Sequence, residues 1–158
     1  MARLYGWARR GVRVASRVPH GIWRTTTFLA GLRHNRIVAP MLLDGAIDGP
    51  AFRAWVEQAL APTLEPGDIV VADNLSSHKI AAARAGIEER GAVLLFLPAY
   101  SPDANPIEEL FAKLKSVVRR LAPRSREALS DAVRQALQLV TPTECTNYLA
   151  NKGYGRSA

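Results

Sequence analysis

The sequence predicts a single α/β domain built on a mixed β-sheet flanked by helices. Three observations predict it. Residues 25–32 (TTTFLAGL) and 37–43 (IVAPMLL) are β-prone runs joined only by Arg33-His34-Asn35-Arg36, which reads as an antiparallel hairpin. Residues 68–73 (DIVVAD) and 92–97 (AVLLFL) are continuous apolar runs separated by a helix-length segment, which implies parallel pairing with both faces covered. The last third of the chain carries helical periodicity throughout. At 158 residues, with 48% hydrophobic and 22% charged residues, the chain is long enough for one core and too short for two domains.

The elements follow in order. Val12, Val14 and Val18 suggest a short strand ahead of the hairpin. Residues 44–50 have turn chemistry, and Pro50 suits the first turn of a helix that places Phe52, Trp55, Val56, Ala59 and Leu60 on one face. Residues 62–67 break that helix ahead of the 68–73 strand. A helix over about 78–90 follows, with Ser76 and Ser77 available as caps and Gly91 closing it. The loop PAYSPDANP leads into a helix over about 106–121, whose buried stripe is Ile107, Leu110, Phe111, Leu114, Val117, Val118 and Leu121. Beyond Ala122-Pro123, two further helices span about 125–140 and 142–150. There are no internal repeats.

Charge narrows the function. The net charge is +7, and residues 1–43 hold eight arginines and no acid, leaving thirteen basic against fourteen acidic residues in the remainder. Such a balance points to a polyanionic partner. An acid-free, Arg-rich start also suits a transit peptide, but strand-like alternation and the tryptophans Trp7 and Trp23 favour folded sequence. No stretch approaches the ~18–20 apolar residues of a membrane span. Cys145 is the only cysteine, which excludes an intrachain disulfide and a cysteine zinc cluster. The sequon Asn74-Leu75-Ser76 is read as chance, and a reducing cytoplasm is the expected setting.

Two carboxylates stand out. Asp73 ends an apolar strand, where open α/β sheets gather functional groups. Its structural alternative is a helix cap or Asx-turn, a role that Ser76 and Ser77 already offer. Glu108 falls in the first turn of the 106–121 helix, where Asn105 as N-cap and Pro106 as first residue would place it at the third helical position and complete a capping-box-like arrangement. Glu109 has a local partner in Lys113 four residues on, whereas Glu108 faces Ala112 and shares its flank with Lys115 and Arg119. A strand-end Asp and a first-turn Glu can meet at Mg2+, which takes hard oxygen ligands and keeps waters for its substrate.

The segments DNLSSHK and LPAYSPDANPIEELFAKLK resemble bacterial insertion-sequence transposases of the mariner-like superfamily, as do YGWARRG, PHGIWRTTTFLAGLR, PMLLDG and TPTECTNYLANKGY. The resemblance covers essentially the whole chain. It implies a ribonuclease H-like fold and an Asp-Asp-Glu endonuclease that cleaves and joins DNA with two Mg2+ or Mn2+ ions. Asp73 matches the second acid of that motif and Glu108 the third, with 34 residues between them, the spacing typical of the superfamily. The first acid has no counterpart. No Asp precedes Asp44, and neither Asp44 nor Asp48, both in a turn, looks like a substitute. The resemblance therefore implies a single catalytic domain over residues 1–158 that lacks its first, central strand and the family's helix-turn-helix DNA-binding part. It also implies transposon ends and target DNA as partners, and a homodimer on DNA.

Lesser candidates surround these two. His78, Lys79 and Tyr100 are candidates for contact with the DNA near the metals, and Lys115 and Arg119 for phosphate contact. His20 and His34 read as loop residues, and Trp7, Trp23 and Trp55 as packing residues. The competing functional classes are a non-catalytic DNA-binding remnant or partner subunit of a split transposase, and a doubly wound nucleotide-binding domain. The latter lacks a Gly-rich phosphate loop. A sheet without its central strand is expected to fill the gap with residues 4–14, to dimerise through the open edge, to be poorly soluble, or to accept an upstream-encoded segment.

Overall fold

A computed structural model describes residues 6–15, 25–75 and 78–155. The hairpin forms as the sequence predicts: β1 (Thr26–Leu32) pairs antiparallel with β2 (Ile37–Asp44). Its register shifts between Leu29 and Gly31, where Ala39 takes a positive φ of 51° beside Pro40. This is a β-bulge, which bends the strand and tolerates the missing proline donor. The Trp55 indole donates to the Ala39 carbonyl at 2.9 Å, so the irregular backbone is not left unpaired.

Helix α1 (Gly49–Trp55) starts at Asp48, whose side chain accepts from Ala51 N–H at 2.8 Å, with Pro50 in its first turn. The helix continues through a π-helical turn, Val56–Leu60, and ends in Ala61–Thr63. Phe52, Trp55, Val56 and Leu60 are buried, as the helical spacing requires. Strand β3 (Ile69–Ala72), helix α2 (Ala81–Glu88) and strand β4 (Val93–Phe96) then form a parallel unit. Gly91 turns the chain into β4 with φ of 72°, and a Cβ there would lie 3.2 Å from Pro66, so both conformation and space favour glycine.

Helices α3 (Ile107–Leu121), α4 (Arg126–Gln138) and α5 (Pro142–Asn151) complete the fold. The hairpin lies between two cores. Leu29, Val38 and Met41 face Phe52, Trp55, Val56 and Ile87. Phe28, Leu32 and Ile37 face Leu110, Leu114, Val117 and Ala136. Both faces of the hairpin are thus buried, which accounts for its nearly unbroken apolar sequence. Phe28 meets Phe111 edge-on at 5.8 Å, fixing α3 against the hairpin.

Several expectations are corrected. Residues 12–15 form no strand and are exposed; Val18 lies outside the described residues, as do Ser76 and Ser77. α2 begins at Ala81, later than the predicted 78, because the chain after Asp73 first makes a separate turn in which Leu75 C=O accepts from His78 N–H at 3.0 Å. Leu121, the last residue of α3, is 47% exposed rather than part of the buried stripe. Trp7 is fully exposed, not packed, whereas Trp55 is core; Trp23 and His20 lie outside the described residues.

The α/β architecture is as the sequence predicts, with small sheets flanked by helices. Among the described residues the antiparallel pair and the parallel pair are two separate two-stranded sheets, with no strand joining them. The parallel pair is covered on one face only: Val70, Ala72 and Phe96 pack against buried Leu94 and its core, while Ile69, Val71, Val93 and Leu95 are exposed. α3 leaves β4 to pack on the hairpin, so no described helix covers the second face.

Candidate active site

Asp73 follows the last residue of β3, so the strand itself carries its carboxylate to the carboxyl edge of the parallel pair. His78, five residues later, turns back on it. Asp73 Oδ1 and His78 Nδ1 are in contact; both atoms are buried, and neither has a hydrogen-bond partner among the described residues. The imidazole stacks on Phe52 of α1, with centroids 4.2 Å apart and planes 27° apart. Only 13% of the His78 side chain is exposed, against 41% for Asp73. The His78 side chain is thus turned inward, between Asp73 and the Phe52 ring. The Phe52 contribution was not legible beforehand, because in sequence Phe52 is one apolar residue among several on its helix face.

Glu108 is presented by the first turn of α3. The helix starts one residue later than predicted: Pro106 rather than Asn105 is the N-cap, and the Asn105 side chain, just ahead of it, accepts from Ile107 N–H at 3.3 Å. The reciprocal half of the capping box is absent, since Glu108 accepts no hydrogen bond and makes no ion pair among the described residues, and it is exposed. Its carboxylate is left for something else, in the positive end of the helix dipole.

Glu109 is engaged, but not as expected. Lys113 does not pair with it. Lys113 Nζ instead donates to Glu144 Oε2 at 2.7 Å and to the Leu139 carbonyl at 2.6 Å. Glu109 pairs with Lys152 at 3.5 Å and accepts from Asn151 Nδ2 at 3.0 Å. Tertiary packing of α5 on α3 overrides the local i,i+4 option. The same C-terminal segment steadies the loop ahead of Glu108, because Tyr154 donates its hydroxyl to the Ala104 carbonyl at 3.1 Å. Tyr154 was not singled out as a site residue, although the NKGY stretch that contains it carries part of the resemblance.

Asp73 and Glu108 border the same cavity, of about 600 Å³, together with His78, Asn105 and Tyr154. The other candidates lie outside its lining. Lys79 is exposed, and Tyr100 is fully exposed on a φ of 59° in the loop between β4 and α3. Lys115 and Arg119 are exposed and fall seven and eleven residues after Glu108, within about 20° of its direction on the helix. Among the described residues no group of three or more His, Cys, Asp or Glu side chains comes together as a metal site. Two carboxylates with an otherwise unpartnered buried oxygen nevertheless suit a hard, hydrated cation, which takes one or two carboxylates plus substrate oxygens.

Residues 1–130 match the family described as DDE superfamily endonuclease. The chain belongs to that family. No protein of curated function matches it by sequence. Among solved structures, this DDE domain is similar to the Mos1 strand transfer complex, with a TM-score of 0.76 and 19% identity over 95% of this chain and 46% of that one. It is similar also to the Mos1 transposase paired-end complex with the left transposon end, with a TM-score of 0.72 and 18% identity over 95% and 47%. A third is the Mos1 mariner paired-end complex with Mn, with a TM-score of 0.73 and 17% identity over 93% and 46%. The DDE domain thus spans about half the length of these chains and shares their fold over that part. No described helix is long and apolar enough to cross a membrane.

Proposed function

We propose that this DDE domain serves DNA transposition, as part of an enzyme that cuts transposon ends and joins them to target DNA. The observation that carries the proposal is the pairing of a strand-end carboxylate, Asp73, with a free first-turn carboxylate, Glu108, on one cavity. Asp73 and Glu108 would hold divalent ions, Mg2+ or Mn2+. When bound, two such ions activate an attacking oxygen and stabilise the leaving oxygen of a phosphodiester. His78, backed by Phe52, fixes the rotamer of Asp73, as outer-shell partners of ligating carboxylates do. Lys115 and Arg119 continue the Glu108 stripe of α3 and would neutralise DNA phosphates, with Lys79 and Tyr100 closer to the cut strand. In the reaction, water attacks a phosphodiester and displaces a 3′-hydroxyl, leaving a 5′-phosphate; that 3′-hydroxyl then attacks a phosphodiester of target DNA and displaces the target strand's own 3′-hydroxyl. A homodimer would bring two ends together.

A second reading, a non-catalytic DNA-binding remnant or partner subunit, draws on the absence of a third ligand among the described residues.

Mn2+ binding followed by electron paramagnetic resonance, with plasmid nicking alongside, separates the readings. Asp73→Asn and Glu108→Gln should each weaken Mn2+ binding at least about tenfold, while Glu109→Gln leaves it unchanged. Equal loss from Glu108→Gln and Glu109→Gln would mean that the helix start matters rather than the Glu108 carboxylate. Mn2+ binding indifferent to all three would leave only the non-catalytic reading.

A further inference from the structure

The C-terminal end of α5 reaches back to the start of α3. Gly153 N–H donates to the Ala150 carbonyl and Tyr154 N–H to the Leu149 carbonyl, each at 3.0 Å. These two bonds define a Schellman motif, which ends a helix on a left-handed residue and folds the next one against the last turn. Gly153 takes the left-handed place with φ of 82°, and a Cβ there would meet nothing within 4 Å. Conformation alone therefore favours glycine. The residue folded back is Tyr154, and it lines the cavity bordered by Asp73 and Glu108, as does Leu149.

From this turn the chain grips Glu108 on both sides in sequence. Ahead of it, the Tyr154 hydroxyl donates to the Ala104 carbonyl at 3.1 Å. Behind it, Asn151 Nδ2 donates to Glu109 Oε2 at 3.0 Å, and Lys152 Nζ pairs with Glu109 Oε1 at 3.5 Å. The Ala104 carbonyl receives no backbone N–H among the described residues. Pro106 has none to offer, and Ile107 N–H is taken by the Asn105 side chain. The Tyr154 hydroxyl is the partner it has.

The loop that presents Glu108 has little else to fix it. A short 3-10 turn, Pro102–Ala104, leads through Asn105 and Pro106 into α3. The first bonds of that entry are long, with Glu108 N–H to the Asn105 carbonyl and Glu109 N–H to the Pro106 carbonyl both at 3.3 Å. Such distances lie beyond the usual 2.7–3.2 Å of an N–H···O bond. The place of the loop therefore depends on contacts from outside it. Tyr154 is 37% exposed, so water could satisfy its hydroxyl, and position rather than burial directs the bond to Ala104. The family match ends at residue 130, ahead of α5, so this grip lies outside the matched residues.

We infer that Tyr154 is a positioning residue for Glu108: through the Ala104 carbonyl it fixes the loop that sets where the Glu108 carboxylate stands relative to Asp73. Asn151 and Lys152 hold the neighbouring Glu109 carboxylate outside the cavity lining, so that one carboxylate of the pair is presented and the other withheld. The inference rests on the reading of Asp73 and Glu108 as ligands of a divalent ion.

A double-mutant cycle on the full chain tests it, with Mn2+ affinity read by electron paramagnetic resonance for the parent, Tyr154→Phe, Glu108→Gln and the double variant. Tyr154→Phe keeps the ring and removes only the hydroxyl. It should weaken Mn2+ binding about 2–10-fold, the range of one hydrogen bond, and add no loss once Glu108 is glutamine. Gly153→Ala, which strains the turn that aims the tyrosine, should reproduce that pattern. Tyr154→Phe equal to the parent, with Glu108→Gln still weakened, overturns the inference and leaves the two ligands standing. The same loss in both backgrounds also overturns it, because the tyrosine then acts other than through Glu108. Binding unaffected by Glu108→Gln overturns the reading of the ligands, and the inference with it.

Discussion

Replacing Asp68 with asparagine removes the carboxylate that Arg33 grips between the two sheets. Arg33 Nη1 and Nη2 donate to Asp68 Oδ2 and Oδ1 at 2.7 Å each, Arg33 also donates to the Thr63 carbonyl at 3.2 Å, and Glu65 N–H donates to Asp68 Oδ2 at 2.8 Å. An asparagine can keep one acceptor for Glu65 but cannot accept two charge-assisted bonds. Each side chain is 23% exposed, between the exposed pairs worth ~0.2–1 kcal/mol and the buried pairs whose rupture costs ~3–5 kcal/mol. A loss of about 2 kcal/mol follows, or a fall in Tm of about 4–8 °C for a chain of this size. The hydrogen bonds from Arg33 also hold the Asp68 carboxyl below its ordinary range. A carboxylate with a depressed folded pKa adds stability that is present above an unfolded value of about 3.9 and is lost as pH falls through the folded value. Urea unfolding of the parent and Asp68→Asn between neutral and acid pH measures both effects. The two stability curves should converge as the pH drops below about 4. A difference under about 0.5 kcal/mol at neutral pH, within the ordinary range of surface substitutions, or a gap that widens in acid, would refute the reasoning.

Three further outcomes are expected. His78→Ala should weaken Mn2+ binding by about 10–100-fold while His78→Gln recovers part of it, read by isothermal titration, because the ring positions Asp73 without being a ligand. Glu144→Ala should cost about 1–2 kcal/mol in chemical denaturation, since Glu144 pairs with Lys113 and closes a capping box with Thr141 at the start of α5. The Lys113 and Thr141 hydrogen bonds keep its carboxyl low, so that stabilisation should fade only as pH falls below the ordinary glutamate range. DNA affinity should drop by orders of magnitude between about 50 and 200 mM salt if phosphate contacts dominate, and filter binding that shows no salt dependence would refute that.

The sequence by itself determined the local elements and the two carboxylates. The hairpin, the parallel pair and the long helix follow from periodicity and turn residues acting over a few positions, as at Asp48-Gly49-Pro50 and Asn105-Pro106. Asp73 and Glu108 were legible because a strand end and a helix start are local features, and their spacing in the chain carries the family resemblance. What the sequence could not decide depends on residues distant in the chain. Glu109 had an acceptable local partner in Lys113, yet α5 brings Lys152 and Asn151 to Glu109 and Glu144 to Lys113. From the sequence His78 is a candidate for DNA contact at a helix start; that Phe52, 26 positions earlier, lies against its ring is visible only in the fold. Whether apolar strands join into one sheet depends on which backbone edges meet, and side-chain patterning does not encode that. Only the tertiary structure brings Asp73 and Glu108 to the border of one cavity, because that depends on how α3 packs against the hairpin and not on any local pattern.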